Sequence, residues 1–429
     1  MNSWLIKNAR DLQGKFVELA ISNGIVVKQS DLVQPYSELD AQGLTLMPGL
    51  VDLHTHLREP GREDAETVLT ASQAAVAGGY TAISAMPNTL PVADTAGVVE
   101  QVYRLGKSHG LCDVYPIGAV TVGQKGEQLA ELVAMNQSEA QVRIFSDDGH
   151  CVADPLVMRR ALEYVKLFDG VVAQHAQDPR LTENSQMNEG EVSARLGLKG
   201  WPAVAEEAII ARDILLAEHV DSRLHICHLT TAGGVELVRQ AKLRGVKVTA
   251  EVTPHHLLLT DEMATTYDAT YKVNPPLRTE NDVQALRKGL ADGTIDIVAT
   301  DHAPHPQEAK DCEWNAAAFG MLGLETALSI CYLAMVKSGL MKVADLSLRM
   351  SSTPAKIAKY KDQGELAVGY LANFVLVDLE KTWKVTAKAL KSKSKNTPYD
   401  GMELPAVVEK TFHNGVLVYD RSIEEQGGV

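Results

Sequence analysis

Gly49-Leu50-Val51-Asp52-Leu53-His54-Thr55-His56-Leu57 is a short apolar run with two histidines near its end. A run of this length fits a strand, and residues i and i+2 of a strand share a face, so His54 and His56 point the same way. Seven further runs of the same kind follow: YTAISAMPN (80–88), DVYPIGAV (113–120), QVRIFSDD (141–148), GVVAQHAQD (170–178), RLHICHLTT (223–231), VKVTAEVTP (246–254) and IDIVATDHA (295–303). Helix-like segments lie between them, such as DPLVMRRALEYVKLF (154–168) and PAVAEEAIIARDILLAEHV (202–220). Eight strand–helix units read as an α/β fold, a (β/α)8 TIM barrel, whose active site lies at the C-terminal ends of its strands.

Outward from the barrel, both ends of the chain read as β. WLIKNA, FVELAI and GIVVKQ open it, and ANFVLVDL, VVEKTF and VLVYD close it. Asn23-Gly24 and Asn414-Gly415 are hairpin-turn dipeptides. Neither end is long enough to bury a core alone, so the two are expected to join into a small β-sandwich. The division is then 1–48 for its N-terminal part, 49–358 for the barrel and 359–429 for its C-terminal part. The biased stretch KALKSKSKN (388–396) is expected to be a solvated surface loop.

The 429 residues are 45% hydrophobic and 22% charged, the profile of a globular enzyme. A net charge of −14 argues against a nucleic-acid or anionic membrane surface. Five scattered cysteines (Cys112, Cys151, Cys227, Cys312, Cys331) show no CxxC spacing, which favours a reducing cytoplasm. MNSWLIKNARD lacks the apolar core of a signal peptide, and no apolar run approaches the ~20 residues that span a bilayer. An anionic substrate would therefore meet local positive charge, from metal or arginine, against the protein's overall field.

Ligand-type residues gather where the strands end. Beyond His54 and His56, Asp148 follows the fourth strand, His175 the fifth, His228 the sixth and Asp301 the eighth. Four imidazoles and two carboxylates at one barrel mouth suit one or two divalent ions, zinc being the usual one, and a carboxylate can bridge two metals. His109, His150, His219, His225 and His413 are expected to be ordinary hydrogen-bonded residues. The same holds for His255, His256 and His302, and for Asp147, which points away from the site if the strand pattern persists.

The motifs VDLHTHLREPG (51–61), MPNT (86–89), FSDDG (145–149), QHAQD around His175, HICHLTT around His228, NPPLR (274–278), ATDHAPH (299–305) and FGMLGLET from Phe319 resemble the amidohydrolase superfamily. Within it they are most similar to the longer-chain, type I dihydroorotases. The resemblance implies that His54, His56 and Asp301 hold one metal, that His175 and His228 hold a second, and that Asp148 bridges them. It implies that Arg58, Asn88 and His305 grip a substrate carboxylate, and that Asn274 and the Phe319-Gly320 backbone contact the pyrimidine ring, with His56 also beside the substrate. Many relatives bridge their metals with a carbamylated lysine after the fourth strand, but QVRIFSDDG has none, matching the branch that uses aspartate.

The implied reaction is the reversible, zinc-dependent cyclisation of N-carbamoyl-L-aspartate to dihydroorotate, with Asp301 carrying the proton. Arg58 supplies the specificity argument, since a guanidinium forks onto a carboxylate that a neutral hydantoin lacks. Two rivals remain: a hydantoinase- or allantoinase-like amidohydrolase, and an inactive dihydroorotase-like scaffold for aspartate transcarbamoylase. All six ligand residues are present, which argues against the second. A homodimer, or association with aspartate transcarbamoylase, is left open.

Overall fold

The structure, a computed structural model, describes residues 2–423; Met1 and the last residues of the expected C-terminal part, 424–429, lie outside it. Five strands open the chain: β1 (Trp4–Arg10), β2 (Phe16–Ser22), β3 (Ile25–Val27), β4 (Ser37–Asp40) and β5 (Thr45–Pro48). Each of the eight apolar runs then contains a strand: β6 (Leu50–Thr55), β7 (Tyr80–Ala85), β8 (Asp113–Pro116), β9 (Ile144–Phe145), β10 (Val171–Gln174) and, after the short parallel pair β11 (Met187–Asn188) and β12 (Gly200–Trp201), β13 (Leu224–Ile226), β14 (Val248–Val252) and β15 (Ile297–Val298). The chain closes with β16 (Phe374–Lys384), β17 (Glu403–His413) and β18 (Val416–Asp420).

The eight central strands are all parallel to their neighbours. They form two sheets, β6-β7-β8 and β9-β10-β13-β14-β15. Single parallel bridges join the margins of these sheets, Gly118 to Phe145 on one side and Thr55 to His302 on the other. Helices separate the strands as the sequence leads one to expect. Pro155–Val165 starts after Asp154, whose carboxylate accepts from the N–H groups of Leu156 and Val157 at 2.8 and 3.0 Å, with proline at the first position. Its Met158, Ala161, Leu162 and Val165 are buried at i, i+3, i+4 and i+7, one apolar stripe turned towards the sheet. No helix among the described residues is long and apolar enough to cross a membrane.

Both termini enter one eight-stranded sheet, ordered β18-β17-β16-β5-β1-β2-β3 with β4 also on β1. The two expected hairpin turns are present, and all four central residues have positive φ: Asn23 52°, Gly24 81°, Asn414 50° and Gly415 71°. Their tips meet, although they lie near opposite ends of the strand order. A Cβ on Gly24 would sit 2.6 Å from the Asn414 carbonyl oxygen, so only glycine fits there. The sheet therefore curls around its own cluster, which includes Ile6, Ile21, Val26, Leu46, Phe374 and Phe412.

The lysine-rich stretch corrects the sequence reading. It is a strap across the strand ends rather than a solvated loop: Ser392, Ser394 and Asn396 are buried. Ser394 donates to the Ala65 carbonyl at 2.7 Å, and Ser392 Oγ donates to Glu66. Small polar residues alternate with lysines along it, so the inward set is hydrogen-bonded while Lys393 and Lys395 stay outside. Composition showed the lysines; the period of two was the better signal.

Candidate metal centre and substrate site

Strand β6 ends at Thr55, so His56 lies just past it, held by its N–H to the His302 carbonyl at 2.9 Å. His54 and His56 nonetheless face the same point. The Nε2 atoms of both lie 3.4 Å from Asp148 Oδ2, and they lie 3.5 and 3.0 Å from Asp301 Oδ1. On the other side of the same carboxylate, His175 Nδ1 and His228 Nε2 lie 3.2 and 3.1 Å from Asp148 Oδ1 and 2.9 Å from each other. Two close donor sets thus share Asp148: His54 and His56 with one oxygen, His175 and His228 with the other. All six side chains are buried.

The electrostatics keep the carboxylates ionised. Burial alone would raise Asp148, yet His54, His175 and His228 hold it well below the usual carboxylate range. Asp301, also against the cost of burial, is drawn down to about 2 by His54 and His56. Buried His54 Nε2 has no hydrogen-bond partner. A borderline-soft divalent cation takes this mixed nitrogen–oxygen set.

Three of the four imidazoles, those of His54, His56 and His175, are oriented from behind, which fixes the nitrogen left for a metal. His54 Nδ1 lies 2.6 Å from Glu251 Oε1, and the other Glu251 oxygen lies 3.0 Å from His225 Nε2. His175 Nε2 faces Gln177 Oε1 at 2.7 Å, which leaves Nδ1 for the centre. His56 Nδ1 faces Asn88 Oδ1 at 2.9 Å. Glu251 and Gln177 are orienting residues that the sequence motifs do not single out. The available signal was a lone carboxylate inside VKVTAEVTP and a glutamine two residues past His175.

Asp147 turns away, its Oδ1 accepting from the N–H groups of Val120 and Thr121 at 2.8 and 3.0 Å. His302 lies 3.4 Å from Glu66 and accepts from Gly323 N–H at 3.2 Å. His256 bridges Thr253 and the Pro275 carbonyl. His255 is buried, and burial lowers its pKa to about 4, so it is neutral.

Arg58 is buried at the rim, its φ of 65° turning the chain back towards the site. Its Nε donates to the Pro304 carbonyl at 3.1 Å, and one terminal nitrogen lies 3.4 Å from His305 Nε2. Among the described residues no carboxylate pairs with it: Glu59 accepts from Val68 N–H and Glu63 from Gly61 N–H instead. Burial, with Arg62 adding to it, lowers the Arg58 pKa to about 10, so it remains a cation at neutral pH. His305 Nε2 lies 2.7 Å from the Phe319 carbonyl, beside Gly320. Asn274 donates to Gln177 at 3.2 Å, and its Oδ1 is buried without a partner. Behind this wall, Lys272 Nζ donates to the Trp314 carbonyl at 2.6 Å and Lys310 Nζ to that of Ala318 at 2.8 Å, pinning the segment between His305 and Phe319.

Known proteins share this fold. An L-hydantoinase (dihydropyrimidinase) from Arthrobacter aurescens superimposes with a TM-score of 0.87 at 26% identity, over 98% of this chain and 96% of its own. A dihydropyrimidinase from Brevibacillus agri does so at 0.82 and 21%, over 97% and 95%. The fold and the convergent donor set define a metal-dependent hydrolase. The Dihydro-orotase-like family model matches residues 43–233. A dihydroorotase of Streptomyces coelicolor is 62% identical over 97% of this chain and 98% of its own length. Those of Leifsonia xyli subsp. xyli and Mycobacterium tuberculosis are 62% and 52% identical, covering 91% and 96% of this chain and 90% and 97% of their own. The chain belongs to the dihydroorotase family.

Proposed function

We propose that this enzyme of pyrimidine biosynthesis interconverts N-carbamoyl-L-aspartate and (S)-dihydroorotate as a zinc-dependent, type I member of the amidohydrolase superfamily. One observation carries the reading: Asp148 offers one oxygen to His54 and His56 and the other to His175 and His228. With Asp301 completing the first group, His54, His56, Asp148, His175, His228 and Asp301 would hold one or two zinc ions. When bound, the metal would supply a Lewis acid and lower the pKa of an attacking water.

The chain's own residues do the rest. In ring opening, water oxygen bonds to the ring amide carbon, the carbon–nitrogen bond breaks, and the water's proton ends on the departing nitrogen. Asp301, ionised and beside His56, takes that proton and delivers it. In closure it returns the proton to the leaving oxygen. Arg58 forks onto the substrate carboxylate with His305 and Asn88 beside it. Because Asn88 Oδ1 faces His56, its Nδ2 is the atom left for substrate. The unpartnered Asn274 Oδ1 suits a ring N–H, and the Phe319-Gly320 backbone, beside His305, would also contact the ring.

Two parallel bridges support closure of the eight strands into a (β/α)8 barrel. The touching hairpin tips support a small β-sandwich built from residues 1–48 and 359–429 beside a barrel of 49–358. A cytoplasmic location fits the scattered cysteines, all of them free. A homodimer and association with aspartate transcarbamoylase are family-type assemblies that sedimentation alone and with that partner would test.

Substrate choice tests the reading. The purified enzyme should turn over dihydroorotate far faster than hydantoin or allantoin. Arg58→Met should weaken dihydroorotate on the order of 2–5 kcal/mol, the value of a charge-assisted contact, while barely touching uncharged analogues. Preference for a neutral ring would assign the chain to the hydantoinase-like chemistry instead.

A further inference from the structure

The C-terminal strap ends on a buried amide that joins the two walls of the substrate site. Asn396 Oδ1 accepts from His305 N–H at 3.1 Å, and its Nδ2 donates to the carbonyls of Ala303 and Gly320 at 3.0 and 3.2 Å. Its own carbonyl accepts from Leu322 N–H at 3.1 Å. One acceptor and two donors on a short side chain is the asparagine inventory, and here every function is used.

The two segments it ties carry the carboxylate pocket. One contains His305 and the Pro304 carbonyl that holds Arg58 Nε; the other contains Phe319 and Gly320. They approach so closely that a Cβ on Gly320, whose φ is 136°, would lie 2.7 Å from Ala303 Cβ and 2.9 Å from His305 Nε2. The strap cannot drift, because its other end is fixed separately. Glu325 accepts from the N–H groups of Lys391 and Ser392 at 2.8 and 3.2 Å, and Glu66 accepts from Lys393 N–H at 3.0 Å. Asn396 bonds to none of the six metal-site side chains.

We infer that Asn396 is a positioning residue for specificity: it sets the spacing between the Arg58–Pro304–His305 wall and the Phe319–Gly320 wall, and thereby the affinity for the substrate carboxylate rather than the rate of ring chemistry. The inference rests on the reading of Arg58 and His305 as the carboxylate pocket.

Steady-state kinetics on dihydroorotate test it, with Asn396→Ala, Asn396→Asp and Asn396→Ala combined with Arg58→Met, recording metal content and Tm throughout. Asn396→Ala should raise KM roughly tenfold with kcat nearly unchanged, the effect of one or two displaced hydrogen bonds. Metal content should hold. On an Arg58→Met background the same change should add little, because both act through one pocket. Asn396→Asp keeps the volume but sets an oxygen against two carbonyls, so it reads the same split if the alanine variant does not fold. A fall in kcat with KM intact, full additivity with Arg58→Met, or parental kinetics beside a raised KM in Arg58→Met would each overturn the inference alone. A parental KM in Arg58→Met would overturn the carboxylate pocket, and this inference with it.

Discussion

Asp148 is the residue on which two imidazole pairs converge, and its neighbour Asp147 is buried just as deeply for another purpose. Removing Asp148 leaves four nitrogens with no shared carboxylate, so Asp148→Ala should lose metal and nearly all activity. Asp147→Ala should keep its metal while losing on the order of 1–3 kcal/mol of stability, because two buried N–H groups lose their acceptor. Metal analysis and thermal unfolding of the two variants separate the roles, and metal loss in Asp147→Ala alone would reverse the assignment. Residues of ligand type were legible in the sequence because each stands near the end of a strand-like run, and parallel neighbours bring such ends to one side. Glu251 was not legible as an orienting residue. Its partner His54 is 197 positions away, and nothing local ties a glutamate on β14 to a histidine on β6.

At the scale of elements, the strands and the two turns could be read because apolar runs and Asn-Gly pairs are local signals. The strap could not, since what makes it a structural element is a set of carboxylates far off in sequence. Glu325 is one of them, and it predicts a pH effect. Burial raises its pKa from 4.5 to about 7, against the opposing N–H groups of Lys391 and Ser392. The folded state therefore binds this proton more tightly than the unfolded chain. Its contribution is fully present below pH 4.5 and is lost as pH rises through about 7. Glu325→Gln carries no charge to bury, so its stability relative to the parent should improve across that window, by at most on the order of 3 kcal/mol. Parallel melting curves should show the gap moving in glutamine's favour with rising pH. A pH-independent difference would mean that Glu325 titrates alike in the folded and unfolded states.

For the whole molecule, the two ends of the chain share a sheet, and the C-terminal segment also reaches the site through the strap. The α/β class and the terminal β segments were accessible from pattern alone. The curl that brings Gly24 against Asn414 was not, because it depends on the order of strands in the sheet rather than on any strand by itself. The central claim, that one mouth of this fold gathers six side chains into a metal centre driving ring opening and closure, is tested most directly by metal removal and return. Chelation should abolish dihydroorotate turnover while leaving the fold intact by circular dichroism. Activity should return in proportion to added zinc and level off at about one to two per chain, as expected for catalytic zinc. A metal-free preparation that retains full turnover in both directions would contradict the account.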